Sequence, residues 1–295
     1  MSWARGGLER IWAEWRRFWF ESNEPESMRL FRRLFGALMF LFFALRTPDL
    51  RQLYSESGVL PVDLMREVLD FGSRQSIFFH ARSETAIWVG HAALLASTAA
   101  MALGFFPRAS ALLAYLLHVS FLHRNMTVAY GIDSISVFFF LNLIIADTRR
   151  RDSMLGSVSL RLCQLQVCVI YFYSGLEKLK GTHWWYGDAI WRVLANHQLA
   201  SMDFTWVTAF PLLVVLSTWG TLVWEVYFPA LIWLPRWRFP MLLFGVAMHL
   251  GIALSMSIPF FGFLMIFAYV TFLTDVELAR FSVLIRSFLQ HMCKK

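Results

Sequence analysis

Apolar residues along this chain gather into long runs, and polar residues into short connections between them. Eight such runs stand out, at about 30–46, 85–105, 109–123, 131–147, 158–178, 209–234, 239–256 and 260–274. Runs near twenty residues with few charges are what a helix needs to cross the hydrocarbon core of a bilayer. The pattern predicts an all-α polytopic membrane protein of about eight transmembrane helices, with the membrane domain over 27–275. Pro107, Pro235 and Pro259 follow or open turns between runs, where a residue lacking an N–H is tolerated.

Three stretches break the pattern. Residues 8–22 mix charges and aromatics at helical spacing, with Trp12, Trp15 and Trp19 on one face and Ile11 able to join them. This predicts an interfacial amphipathic helix within 1–26, lying on an anionic leaflet. A helix packed on the bundle fits the same spacing. Residues 47–84 are too charged to span and too apolar to be disordered, and are expected to form a short helical cap on the outer face. Residues 179–207 are amphipathic.

Composition agrees with the pattern: 58% of the 295 residues are hydrophobic and 16% charged, and mean hydropathy is +0.53. The 29 Phe and 13 Trp suit lipid-facing and interfacial positions. The net charge of +7 lies mostly in connections between runs, so a nucleic-acid partner is not expected. Arg108, the run Arg149-Arg150-Arg151, and Arg236 with Arg238 fall on alternate connections. Because Lys and Arg stay inside, both termini are expected to be cytoplasmic, including a basic tail over 276–295. No cleavable signal peptide is expected. Cys163 and Cys168 read as buried apolar thiols, and with Cys293 they form neither a disulfide framework nor a metal site.

This orientation collects His123, Arg124, Asn125, Asp133, Lys178, His183 and His197 toward the outer mouth. Tyr171, Ser174 and Lys178 share a face of the fifth run. Lys178 can snorkel from a helix end to the surface, or turn inward, where loss of water favours the neutral amine and makes it a usable base. Spacing alone favours snorkelling, as does the helix dipole. The turn His123-Arg124-Asn125 can serve a ligand oxygen or simply satisfy helix ends. Glu225 lies in mid-run, where a charge costs about 2.5–3.5 kcal/mol on insertion scales. It should face inward with a partner, His249 being the candidate by depth, either as a relay or as a structural pair.

At Tyr171–Gly187 the sequence resembles the membrane part of vitamin K-dependent γ-glutamyl carboxylase and its bacterial relatives, the HTTM family. The resemblance rests on Tyr171, Phe172, Gly175, Lys178 and Leu179, then Trp184 or Trp185 and Gly187. It extends to Ser27–Gly36, to His123-Arg124-Asn125 with Tyr130, Gly131 and Asp133, and to His249 through Phe263. It implies a quinone-using enzyme of a bacterial inner membrane, with its site facing outside. Lys178 would be the base that deprotonates a reduced vitamin K-type quinone such as menaquinol, and His123 would assist. Asn125, Asp133, Tyr171, Ser174, Trp184, Trp185 and His249 would line the quinone site. O2, and in the carboxylase CO2, would be co-substrates, and no metal is implied. The carboxylase continues into a large lumenal domain that binds its protein substrate, without counterpart in these 295 residues. Quinol epoxidation is therefore implied more directly than carboxylation of a peptide Glu. Stand-alone bacterial relatives include a membrane protein that matures a secreted toxin peptide. This makes a non-enzymatic partner in peptide maturation or export the alternative.

Overall fold

The computed structural model describes residues 2–21, 25–68, 75–146, 148 and 153–292. The basic run at 149–151 and the terminal Lys294-Lys295 lie outside the described residues. The described chain is helical, and every predicted apolar run falls on a helix. Four helices are long and apolar enough to cross a membrane, or up to five if a broken pair near the end is one span. The chain divides into two compact units, residues 1–163 with 270–295, and residues 164–269.

The first unit contains α1 (Ser2–Phe20), α2 (Pro25–Leu45), α3 (Leu50–Tyr54), α4 (Val62–Val68), α5 (Glu84–Leu103), α6 (Pro107–Arg124), α7 (Gly131–Ile145) and, after the second unit, α14 (Asp275–Met292). It also holds the start of α8 (Met154–Lys180). Helix α5 passes the length and apolarity test. Helix α7 has 15 residues, about 22 Å at 1.5 Å per residue, short of the roughly 30 Å hydrocarbon core. Helix α2 carries Arg29, Arg32 and Arg33 in its first turns, which dilute its apolar face. Phe31 and Phe35 stack at 5.7 Å between ring centres and meet Phe139 and Phe140 of α7. Arg32 is buried and donates to the Met101 carbonyl on α5.

Helix α1 forms as predicted. Trp12 and Trp15 are exposed, while Phe18 packs against Arg161, whose Nε donates to the Phe18 carbonyl at 2.9 Å. It is therefore an amphipathic helix anchored to its unit at one end. The segment after α2 is a cap of short helices, as expected. Arg124, almost fully buried, holds it by donating to the carbonyls of Ser55 and Leu60 at 2.9 Å each.

The second unit comprises the end of α8, then α9 (Thr182–Tyr186), α10 (Ala189–Leu194), α11 (Pro211–Leu231), α12 (Pro235–Ser255) and α13 (Pro259–Ala268), which runs on into a 3₁₀ turn beginning at Tyr269. Helices α11, α12 and α13 each open on proline, where the missing N–H costs nothing. Gly187 ends α9 with φ +78°, a left-handed conformation that favours glycine. Behind it the chain turns back along α11, where the Ile190 N–H donates to Thr218 Oγ1 at 3.2 Å. Pro229 lies inside α11. Lacking an N–H, it leaves the Glu225 carbonyl without the usual helical donor.

Candidate functional site

Helix α8 has 27 residues, about 40 Å, longer than a bilayer core is thick. Its last turns need not lie at the surface, and Lys178 does not. The Lys178 side chain is 20% exposed and its Nζ lies 2.7 Å from Glu225 Oε2, on a side chain 7% exposed. Nζ donates to Ser174 Oγ at 2.6 Å, one turn back on the same helix. The Ser174 hydroxyl also reaches the Glu225 carboxylate. Beyond Nζ lies the face of Trp184, its ring centre 5.1 Å away. A desolvated cation over an indole is a favourable contact of order 2 kcal/mol.

The close approach of α8 to α11 explains the pair. A Cβ on Gly175 would stand 3.1 Å from the Val226 nitrogen and 3.3 Å from the Glu225 carbonyl carbon. With only hydrogen there, the α8 backbone comes close to α11 at Glu225, and Ser174 and Lys178 follow. Glu225 thus has an inward partner as expected, but the partner is Lys178 rather than His249. Depth counted from helix ends placed Glu225 beside His249. The tight glycine crossing instead sets Glu225 against α8.

His249 makes a different contact. Its Nε2 is 2.7 Å from the Tyr171 hydroxyl, which also hydrogen-bonds the Tyr269 hydroxyl. All three side chains are buried. The Tyr171 ring packs edge-on against Trp224 and Phe228, both at 4.6 Å between centres. Trp224 is itself pinned by donating to the Met241 carbonyl at 3.0 Å. The Tyr–His–Tyr chain and the Lys–Glu pair are electrostatic neighbours: Lys178 acts on His249, and Glu225 on Tyr171 and Tyr269.

Two polar atoms here are left open. Among the described residues, His249 Nδ1 is buried without a hydrogen-bond partner. Among the described residues, Glu225 Oε2 is buried and meets no donor besides Nζ. Buried polar atoms are normally paired, and exceptions call for an explanation. The site combines an amine and a carboxylate of net zero charge, a hydroxyl–imidazole–hydroxyl chain, and walls of Trp, Tyr and Phe. It can exchange a proton with, and hydrogen-bond, an aromatic hydroxyl or carbonyl compound. Among the described residues no group of three or more His, Cys, Asp and Glu is placed to hold a metal ion.

Of the predicted site residues, the second unit brings together Lys178, Ser174, Glu225 and Trp184, and, as their electrostatic neighbours, Tyr171 and His249. Trp185 is exposed, with its Nε1 donating to the Leu179 carbonyl at 2.8 Å. His183 meets Asp188 at 3.0 Å, and Arg192 holds the other carboxylate oxygen at 2.9 Å. Although desolvation works the other way, Arg192 and His183 hold Asp188 below the usual carboxylate range. The remaining three lie in the first unit. Asp133 takes both guanidinium nitrogens of Arg46 at 2.9 Å and the Tyr130 N–H at 3.1 Å, opening α7. Asn125 donates to the Leu53 carbonyl at 2.8 Å and accepts from Thr127. Among the described residues, His123 Nδ1 is buried without a hydrogen-bond partner, and the ring meets the Gln75 backbone.

Tyr269, Trp224 and Arg46 were not read from the sequence. The signal for Tyr269 was present: a hydroxyl inside the apolar run 260–274 must find a partner there. Asp133 carried the same signal for Arg46.

Over 196 residues, 59% of this chain, the sequence is 24% identical to an uncharacterized protein, YitO, of Bacillus subtilis (strain 168), and the match spans 63% of that protein's length. No family model and no solved structure matches the chain.

Proposed function

We propose that this protein is a membrane-embedded enzyme of the vitamin K-dependent carboxylase type, acting on a reduced quinone such as menaquinol, with Lys178 as base. The observation that carries this reading is the inward course of Lys178: a lysine on the last turns of a long apolar helix is turned away from the surface and held by Glu225 and Ser174. In this reading all eight apolar runs span a bacterial inner membrane, both termini are cytoplasmic, and the site opens to the outside.

The residues present suit a quinol. Nζ takes a proton from a phenolic hydroxyl, and the Trp184 face packs on the ring. The open His249 Nδ1 and the Tyr171–Tyr269 hydroxyls offer hydrogen bonds to the second oxygen. Tight packing around Trp224 and Phe228 excludes water, which strengthens each polar contact. When bound, the quinol supplies, with O2, the oxidative chemistry that carboxylation of a peptide glutamate by CO2 draws on. His123, Asn125 and Asp133 keep their assisting and quinone-lining roles only by the resemblance.

Lys178→Ala is expected to abolish quinol-dependent O2 consumption in membranes, measured per amount of protein that accumulates. Full activity in that variant would refute the base assignment. The exposed aromatics of the 179–207 segment, among them Trp185, Tyr186 and Trp206, favour a second reading, a partner in the maturation or export of a secreted peptide. That reading predicts peptide maturation that survives Lys178→Ala.

A further inference from the structure

We infer that Glu225 is not a passive counter-ion but the second half of the base: Lys178 and Glu225 form a dyad that stores the proton taken from the substrate. This rests on the reading of Lys178 as base and extends it to a residue on another helix.

Three observations carry it. Glu225 Oε2 lies 2.7 Å from Lys178 Nζ, close enough for direct proton transfer. That oxygen is buried and, among the described residues, meets no donor besides Nζ, so a second acceptor position is open. Ser174 touches both partners and fixes their register, with its hydroxyl toward Nζ and toward the carboxylate.

The proton count is as follows. At rest the dyad holds one mobile proton, as ammonium and carboxylate or as amine and carboxylic acid, and is neutral either way. When the substrate O–H bond breaks, its proton is added to the dyad. The dyad becomes ammonium plus carboxylic acid, one positive charge, and the substrate oxygen carries the compensating negative charge. No other reactant is needed. The groups facing the dyad are Ser174 and Tyr171 on α8, the Trp184 ring on α9, His249 on α12 and Tyr269 after α13. None of them is a second carboxylate.

The test uses the full chain in detergent, with acidification as the probe. Infrared difference spectra between neutral and acidic buffer should show the C=O stretch of a carboxylic acid gained on proton uptake, missing from Glu225→Gln and displaced in Glu225→Asp. Superimposable spectra of wild type and Glu225→Gln would overturn the dyad. If Glu225→Gln does not accumulate, a band unmoved in Glu225→Asp overturns it instead. In quinol turnover, Glu225→Gln should lose kcat by about 100-fold or more, as expected for a proton-transfer group, with KM held within about threefold. Wild-type kcat and pH profile in Glu225→Gln, with Lys178→Ala inactive, would reject the dyad and leave the base reading intact. An active Lys178→Ala would instead reject the base reading, while the infrared comparison still decides whether Glu225 takes up the proton.

Discussion

Tyr171, His249 and Tyr269 show what a single hydroxyl does in an apolar interior. Each oxygen must find a partner or leave an unsatisfied group at a cost of about 1–3 kcal/mol. Tyr171 solves this by bridging the other two. Tyr269→Phe removes one hydroxyl without opening a cavity and leaves the Tyr171–His249 bond in place. We expect a loss of about 0.5–1.5 kcal/mol, read as a small drop in the thermal unfolding midpoint in detergent. A loss of several kcal/mol would mean that Tyr269 supports more than this bond. Lys178 and Glu225 follow the same logic with charge, where removing one partner is far costlier than removing both.

Helix α8 meets α11 at a glycine, and that crossing decides where Lys178 points. Gly175→Ala places a methyl about 3 Å from the α11 backbone. The helices must separate, at about 1–3 kcal/mol for overpacking, and the Lys178–Glu225 contact lengthens with them. Gly175→Leu should be worse, with lower yield and, in quinol turnover, a larger fall in kcat than in KM. Gly175→Leu with wild-type stability would show that α8 and α11 do not touch there. The helices themselves were legible: each apolar run became a helix, and Pro107, Pro235 and Pro259 marked where three of them begin. Tyr171, Ser174 and Lys178 could be placed on one face because period 3.6 relates them. The partner of Glu225 could not be read. Register between two helices depends on which small residue lets them close, and hydropathy carries no such information. The buried Arg124 was hidden for a similar reason: its carbonyl partners belong to the irregular cap, which has no periodicity to follow. Of the eight apolar runs, four lie on helices long and apolar enough to cross a membrane; a charge-rich α2 and a short α7 account for two of the other four.

At the scale of the whole molecule, charges among the described residues pair in both settings, Lys178 with Glu225 inside a helical unit and Arg82 with Asp63 in a connection. In the cap after α2, Arg82 holds Asp63 at 2.8 Å and approaches Glu56. The hydrogen bond and charge of Arg82 keep Asp63 below the usual carboxylate range. With the folded value depressed, this support is present above the ordinary carboxylate value of about 3.9 and disappears as pH falls through the lower folded value. Limited proteolysis of the cap should therefore be unchanged from pH 7 to about pH 5 and increase only near pH 3. Asp63→Asn should show the acid pattern at every pH, and wild-type resistance at neutral pH in that variant would count against the pairing.

The ion pair between α8 and α11 also bears on how the chain enters its membrane. Each charge alone is costly in lipid, about 2.5–3.5 kcal/mol at mid-bilayer on insertion scales. A lysine near a helix end can wait with its amine at the headgroups, whereas a glutamate in mid-helix has no such refuge. The ribosome delivers α8 before α11, so the residue able to wait arrives first. Glu225 then enters to find its partner already in the membrane. Were α11 made before α8, the carboxylate would enter alone.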